Sequence, residues 1–295
     1  MPESRPLAPF NPFFLPVPGD IPSQRFCIHH PAQGGTVKGA VLYIHPFAEE
    51  MNKSRRMAAL QSRALAAAGY TVLQIDLLGC GDSSGDFGDA SWQDWIDDVV
   101  RGAQWLTERV QAPLWLWGLR VGCLLAVEAA RLIPADTNFL FWAPVSAGKQ
   151  SLQQFMRLKL ASDLGDGNAK TAMTEMRDAL ANGTAVDIAG YRLSPALAAG
   201  LEQASLTPPT NPSSQRQGRV EWLELSTREQ AQLSPAGVKS ATIWRDAGFA
   251  QTRMQVVHGP SFWQTTEIEE AAALLAVTTA ALTSLAVQVP EVSAT

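Results

Sequence analysis

The chain has 295 residues, 46% apolar and 17% charged, with a formal net charge of −5. A chain of this length buries about 75% of its unfolded surface, and that apolar fraction excludes intrinsic disorder. No basic stripe is present to neutralise phosphates, which excludes nucleic-acid binding, and no uncharged apolar run is long enough to span a bilayer. The segment from Met1 to Asp20, rich in Pro and Phe, lacks the basic-then-apolar order of a secretory signal. Cys27, Cys80 and Cys123 are an odd, widely spaced set without metal-ligand spacing. The expectation is a cytoplasmic protein with no metal and no cofactor. Nine tryptophans predict that some rings line a pocket or an interface.

Phe10 to Val17 and Phe26 to His29 read as antiparallel edge strands. Ala40 to Ile44 is a short apolar run of strand formers. Arg55 to Ala68 is helical and ends at Gly69, a residue suited to a helix C-cap. Tyr70 to Ile75 is a strand, followed by a Gly-, Asp- and Ser-rich loop from Gly79 to Gly88. An amphipathic helix runs from about Ser91 to Val110, with Ser91 as N-cap and Asp94 three residues on. Leu114 to Trp117 is a strand, Arg120 to Leu132 a helix and Asn138 to Val145 a strand. Continuous apolar strands separated by helices predict an α/β fold, a mostly parallel sheet flanked by helices on both faces.

From Ser146 to about Gly218 the strand signals disappear. Helical stretches at Gln150 to Leu164, with Phe155, Met156 and Leu160 at helical spacing, and at Thr171 to Asn182 precede a Pro-rich run from Pro208 to Ser214 that reads as a linker. Sheet grammar returns with a strand at Val220 to Leu225, a helix at Pro235 to Asp246, a strand at Met254 to Val257 and a helix at Thr266 to Leu285. The expected division is a core domain of residues 1–145 and 219–295, with a helical cap inserted at 146–218.

The strand–turn–helix at Leu114 to Leu132 carries Gly118–Leu119–Arg120–Val121–Gly122. Its place and glycine spacing resemble the G-x-S-x-G nucleophile elbow of α/β-hydrolases. Ile44–His45–Pro46–Phe47 stands where those proteins carry the oxyanion loop, and Asp76–Leu77–Leu78–Gly79–Cys80–Gly81–Asp82–Ser83 resembles their D-x-x-G-x-G-x-S segment. The resemblance implies an α/β-hydrolase fold from about Gly39 to Leu285. It places Arg120 in the serine slot and puts the histidine slot near Phe262, with His258 four residues early. The acid slot falls around Ser226 to Glu229, with Glu224 and Glu229 as substitutes. Arginine stays protonated and cannot accept an acyl group, so an ordinary Ser-His-Asp mechanism is excluded.

The string from His45 to Met57 (His-Pro-Phe-Ala-Glu-Glu-Met-Asn-Lys-Ser-Arg-Arg-Met), the Gly118–Leu119–Arg120 elbow and the Phe262–Trp263–Gln264–Thr265 turn together resemble the second exosortase A system-associated hydrolase family. That resemblance implies a bacterial protein of an exopolysaccharide and PEP-CTERM sorting locus.

Arg120 at a helix start predicts either an anion site or an internal salt bridge to Glu49, Glu50 or Glu224. Ligands of parallel sheets bind beyond the carboxyl ends of the strands. Glu49, Glu50 and Asn52, with Lys53, Arg55 and Arg56, therefore face the same crevice, and Phe47, Val121 and Trp263 join the ligand-binding set. His258 and Glu224 are the catalytic candidates, Trp142 and Phe262 are further candidate pocket walls, and His45 shapes its loop. The serines expected near the crevice are Ser83, Ser84 and Ser261. Three functions stay open: a pseudoenzyme binding an anionic ligand, lipid- or sugar-linked; a hydrolase with a rebuilt site; and a non-catalytic scaffold or partner of another hydrolase. The expected assembly is a homodimer or a complex with that partner hydrolase.

Overall fold

The computed structural model describes residues 9–19, 22–133, 136–162, 169–209 and 218–284. Most of the Pro208 to Ser214 linker, the Leu160 side chain and Leu285 lie outside the described residues. Strands β1 (Asn11–Val17), β2 (Ser23–His30), β3 (Gly39–Ile44), β4 (Tyr70–Ile75), β5 (Leu114–Leu119), β6 (Thr137–Trp142), β9 (Val220–Ser226) and β10 (Thr252–His258) form one eight-stranded sheet. Their order is β1-β2-β4-β3-β5-β6-β9-β10. The β1–β2 and β2–β4 pairs are antiparallel, and every other pair is parallel. Helices α1 (Glu49–Ala67), α2 (Trp92–Thr107), α3 (Gly122–Ala130), α7 (Pro235–Asp246) and α8 (Ala272–Thr283) cover it.

Alternation along each strand divides the core into two layers, because successive side chains leave a strand on opposite faces. Leu42, Ile44, Leu116, Phe139 and Phe141 pack with α2, α3 and Trp244 of α7. Val41, Tyr43, Trp117, Leu140 and Trp142 pack with α1 and α8 through Met57, Leu65 and Leu274. Both faces are dry, which is why these strands read as unbroken apolar runs. The expectation that tryptophans line a pocket holds for Trp263. Trp117, Trp142 and Trp244 are fully buried core instead.

Between β6 and β9 the chain leaves the sheet and forms α4 (Gly148–Ser162), α5 (Ala169–Ala181), a hairpin of β7 (Val186–Ile188) and β8 (Tyr191–Leu193), and α6 (Pro195–Gln203). The hairpin and α6 were not expected. The turn Ala189–Gly190 has positive φ at both residues, 48° and 84°, the geometry of a type I′ turn. Alanine at its first position hides the usual Asn-Gly signal. The segment is tied to the core by Ser194 Oγ donating to the Ala90 carbonyl at 2.6 Å and by Trp244 Nε1 donating to the Leu206 carbonyl at 3.2 Å.

Helix α1 starts at Glu49, six residues before the start read from the sequence. Its N-cap, Ala48, offers no side-chain cap and sits at φ 50°. Ser54 looks like a cap but lies inside the helix, its Oγ donating to the Glu50 carbonyl at 2.7 Å. Glu49 and Glu50 are thus the first turn of a helix, where its dipole favours anions.

Candidate functional site

The order β4-β3-β5 reverses at β3, so the carboxyl ends of β3 and β5 flank the switch point where open α/β sheets bind ligands. Ile44 and Gly118 are register partners there. Arg120 forms the tip of the turn at φ 56°, a left-handed conformation costing a side-chain-bearing residue about 1–2 kcal/mol. The turn is clamped on both sides. The Arg120 backbone N–H donates to the Trp142 carbonyl at 3.0 Å, and the Cys123 N–H donates to the Arg120 carbonyl at 3.1 Å. A Cβ at Gly118 would collide with the backbone of Cys123, and one at Gly122 with the Ile44 carbonyl.

Above the turn lies a cavity of about 270 Å³ lined by Phe47, Glu49, Glu50, Lys53, Arg120 and Val121 from the core. Ser151, Gln154, Phe155 and Leu158 of α4 and Trp263 and Gln264 after β10 close it. The guanidinium is loosely held. Its Nε donates to Glu50 Oε1 at 3.4 Å, its Nη2 reaches Gln154 Oε1 at 3.5 Å, and its carbon stands 5.4 Å from the Trp263 ring centre. Charge-assisted hydrogen bonds are normally about 2.7–2.9 Å. Burial pushes the Glu50 carboxyl up to about 7 against the opposing pull of Arg120, and the neighbouring Glu49 adds to the rise. Burial also raises Glu49, with Lys53 opposing. Phe47 meets Phe155 edge-on at 5.0 Å, joining the loop after β3 to α4.

Residues 35–178 match the family described as serine aminopeptidase, S33. Among solved structures, the chain is similar to Est1E from Butyrivibrio proteoclasticus, with 13% identity, a TM-score of 0.60, and coverage of 88% of this chain and 93% of that one. It is similar to a monoglyceride lipase from Saccharomyces cerevisiae at 14% identity and TM-score 0.59, covering 96% and 98% of the two chains. A carboxyl esterase from Bacillus coagulans aligns at 13% identity and TM-score 0.56, over 85% and 90%. No curated protein matches the chain by sequence.

The fold is that of the α/β-hydrolases.

Within this α/β-hydrolase fold the candidate residues part company. Phe47, Glu49, Glu50, Arg120, Val121 and Trp263 share the cavity. Asn52 is exposed and outside its lining, its Nδ2 3.4 Å from the Tyr191 hydroxyl. Glu224 accepts from both the N–H and the Oγ of Ser234, at 3.0 and 2.9 Å, and so anchors the start of α7. His258 lines a separate cleft with Arg228, Glu229 and Gln230. None of the four histidines lines the Arg120 cavity.

His45 braces its loop. Its Nδ1 donates to the Pro46 carbonyl at 2.8 Å and its Nε2 accepts from the Leu77 N–H at 3.3 Å, an arrangement that requires the neutral ring. Burial accordingly lowers its pKa. Ser83 is committed to the Asp76 carbonyl and the Phe26 N–H, and Ser84 accepts from the Gln24 N–H. The serine in the cavity wall is Ser151 instead. Sequence reasoning also missed Gln154 and Leu158, which no motif marks, and held Gln264 only as part of the Phe262–Trp263–Gln264–Thr265 string. Trp142 and Phe262 are core, in edge-on contact at 6.1 Å. Among the described residues no cluster of His, Cys, Asp and Glu could hold a metal ion, and no helix is long and apolar enough to cross a membrane.

Proposed function

We propose that the protein binds a small anionic ligand at the elbow cavity and does not run a serine-nucleophile reaction. The observation that carries this reading is the Arg120 guanidinium, which stands over the turn with two long hydrogen bonds and one ring contact among the described residues. Its partner Glu50 titrates near neutrality and so is an incomplete counter-charge. A half-buried cation left underpaired favours an incoming carboxylate or phosphate. The apolar walls Phe47, Val121, Phe155 and Leu158 suit a hydrocarbon portion of the same ligand. In this reading residues 146–218 act as the cap, with α4 closing the cavity. The resemblance to the exosortase A system-associated hydrolases supports a lipid- or sugar-linked acid of bacterial exopolysaccharide export as the ligand, handled in the cytoplasm.

Thermal unfolding with added inorganic phosphate or hexanoate tests the proposal. The melting temperature of the wild type is expected to rise with ligand concentration, and that of Arg120→Ala to stay constant. Equal shifts in both proteins, or none in either, would refute it. A fluorophosphonate probe is expected to label no serine, because Ser151 has no histidine beside it and such probes need an activated hydroxyl. Arg120→Ser alone is expected to give no esterase, since Phe262 is buried near the slot that a histidine would need.

Glu50 favours a second reading. A carboxylate titrating near 7 in a cavity has the basicity of a general base, and could activate water directly. Turnover of any ester in a broad panel, abolished in Glu50→Gln, would select this reading over the first.

A further inference from the structure

Three side chains that line the Arg120 cavity each carry a buried polar atom with no hydrogen-bond partner among the described residues: Glu49 Oε2, Ser151 Oγ and Trp263 Nε1. Trp263 is 5% exposed, so its indole N–H is a fixed donor withdrawn from bulk solvent. Buried polar atoms are almost always paired, and orphans on one cavity wall mark the hydrogen-bonding pattern of what fills it. The set is mixed in kind. Arg120, Trp263 and Ser151 donate, as an anion requires. Glu49 when ionised only accepts, and it repels a bare anion.

Resting on the anion-binding reading above, we infer that the ligand is an acid that also carries its own hydrogen-bond donor, a hydroxyl or an ammonium, near the anionic group. The anion lies against Arg120 and the donor against Glu49. A simple fatty acid answers Arg120 but leaves Glu49 facing hydrocarbon, whereas a hydroxy or amino acid satisfies both. Lys53 does not supply that donor in the structure: its Nζ reaches the Gln264 carbonyl at 3.4 Å, and Glu49 Oε2 has no hydrogen-bond partner among the described residues. The groups facing the two carboxyls bear on which form is bound. They are Lys53 on α1, Arg120 on the elbow and, across the cavity, the uncharged Ser151, Gln154, Trp263 and Gln264, with Tyr191 close enough to Glu49 to feel its charge.

Titration calorimetry at pH 7.5 with hexanoate, 2-hydroxyhexanoate, 3-hydroxyhexanoate and 2-aminohexanoate tests the inference. At least one donor-bearing acid is expected to bind about tenfold or more tightly than hexanoate, the usual gain for a hydrogen bond to a charged group. The hydroxy and amino arms tell which donor the site prefers. In Glu49→Leu that advantage is expected to fall to within about threefold, read as the ratio of two affinities on one protein. Equal binding of all four acids by the wild type would overturn the inference and leave the anion site standing. An advantage that persists in Glu49→Leu would also overturn it. Binding of none of the acids would remove the anion-binding reading itself.

Discussion

At the scale of single residues, Glu50 sets a pH dependence whose direction follows from its environment. Its folded-state pKa, raised by burial to about 7, lies above the value near 4.3 of an unfolded glutamate. Below about pH 4 both states are protonated and nothing is lost. Between the two values the unfolded chain gives up the proton and the folded one keeps it, so stability falls as pH rises and levels off above 7. The side chain is 15% exposed, and the shift corresponds to roughly 4 kcal/mol at most across that window. Glu50→Gln lacks this titration. Urea unfolding of both proteins at pH 4 and pH 8 is expected to show the variant gaining about that amount on the wild type as pH rises. A difference that does not change with pH would mean that Glu50 ionises normally in the fold. Arg120 gave its position in the sequence but not its weakness. Its residue type at the turn implied a partner, while the 3.4 Å separation is a property of packing.

Among the elements, the elbow is the one most constrained by backbone geometry. The Ile44 carbonyl stands where a Gly122 Cβ would go, and a strand carbonyl in the middle of a parallel sheet cannot move aside. Gly122→Ala is expected to cost about 1–3 kcal/mol in urea unfolding, the range for overpacking a dense site. Gly35→Ala, where a Cβ meets nothing within 4 Å, is expected to stay within about 0.5 kcal/mol of wild type. The elements whose edges carry ordinary chemistry were legible. Ser91 caps α2 in a reciprocal box with Asp94, and Pro235 opens α7 behind Ser234. Helix α1 begins six residues before the start read from the sequence because Ala48 has no capping side chain to mark it.

For the whole molecule, the three thiols report on closure of the core. Cys27, Cys80 and Cys123 are free and buried. Desolvation pushes the Cys27 thiol up to about 12 and raises Cys80 and Cys123 further. Reactivity needs an exposed thiolate. The native protein is therefore expected to leave a disulfide-exchange reagent such as DTNB unreacted at pH 8, and to consume three equivalents once denatured. Rapid native reaction of any thiol would mean that the sheet opens on that side.

The sequence by itself determined the alternation of strands and helices, the two-faced burial and the glycine-framed turn holding Arg120, because local periodicity and backbone sterics act over a few residues. Only the tertiary structure decided the site's membership. The cavity draws on Phe47 to Lys53, Arg120 and Val121, Ser151 to Leu158, and Trp263 and Gln264. These segments meet because β3 and β5 are register neighbours and α4 folds back across their ends. That meeting is set by sheet order and inter-element packing, which no local pattern encodes. The same packing sent Glu224 to anchor α7 and His258 to another cleft, although both residue types are as reactive in the sequence as those that the cavity kept.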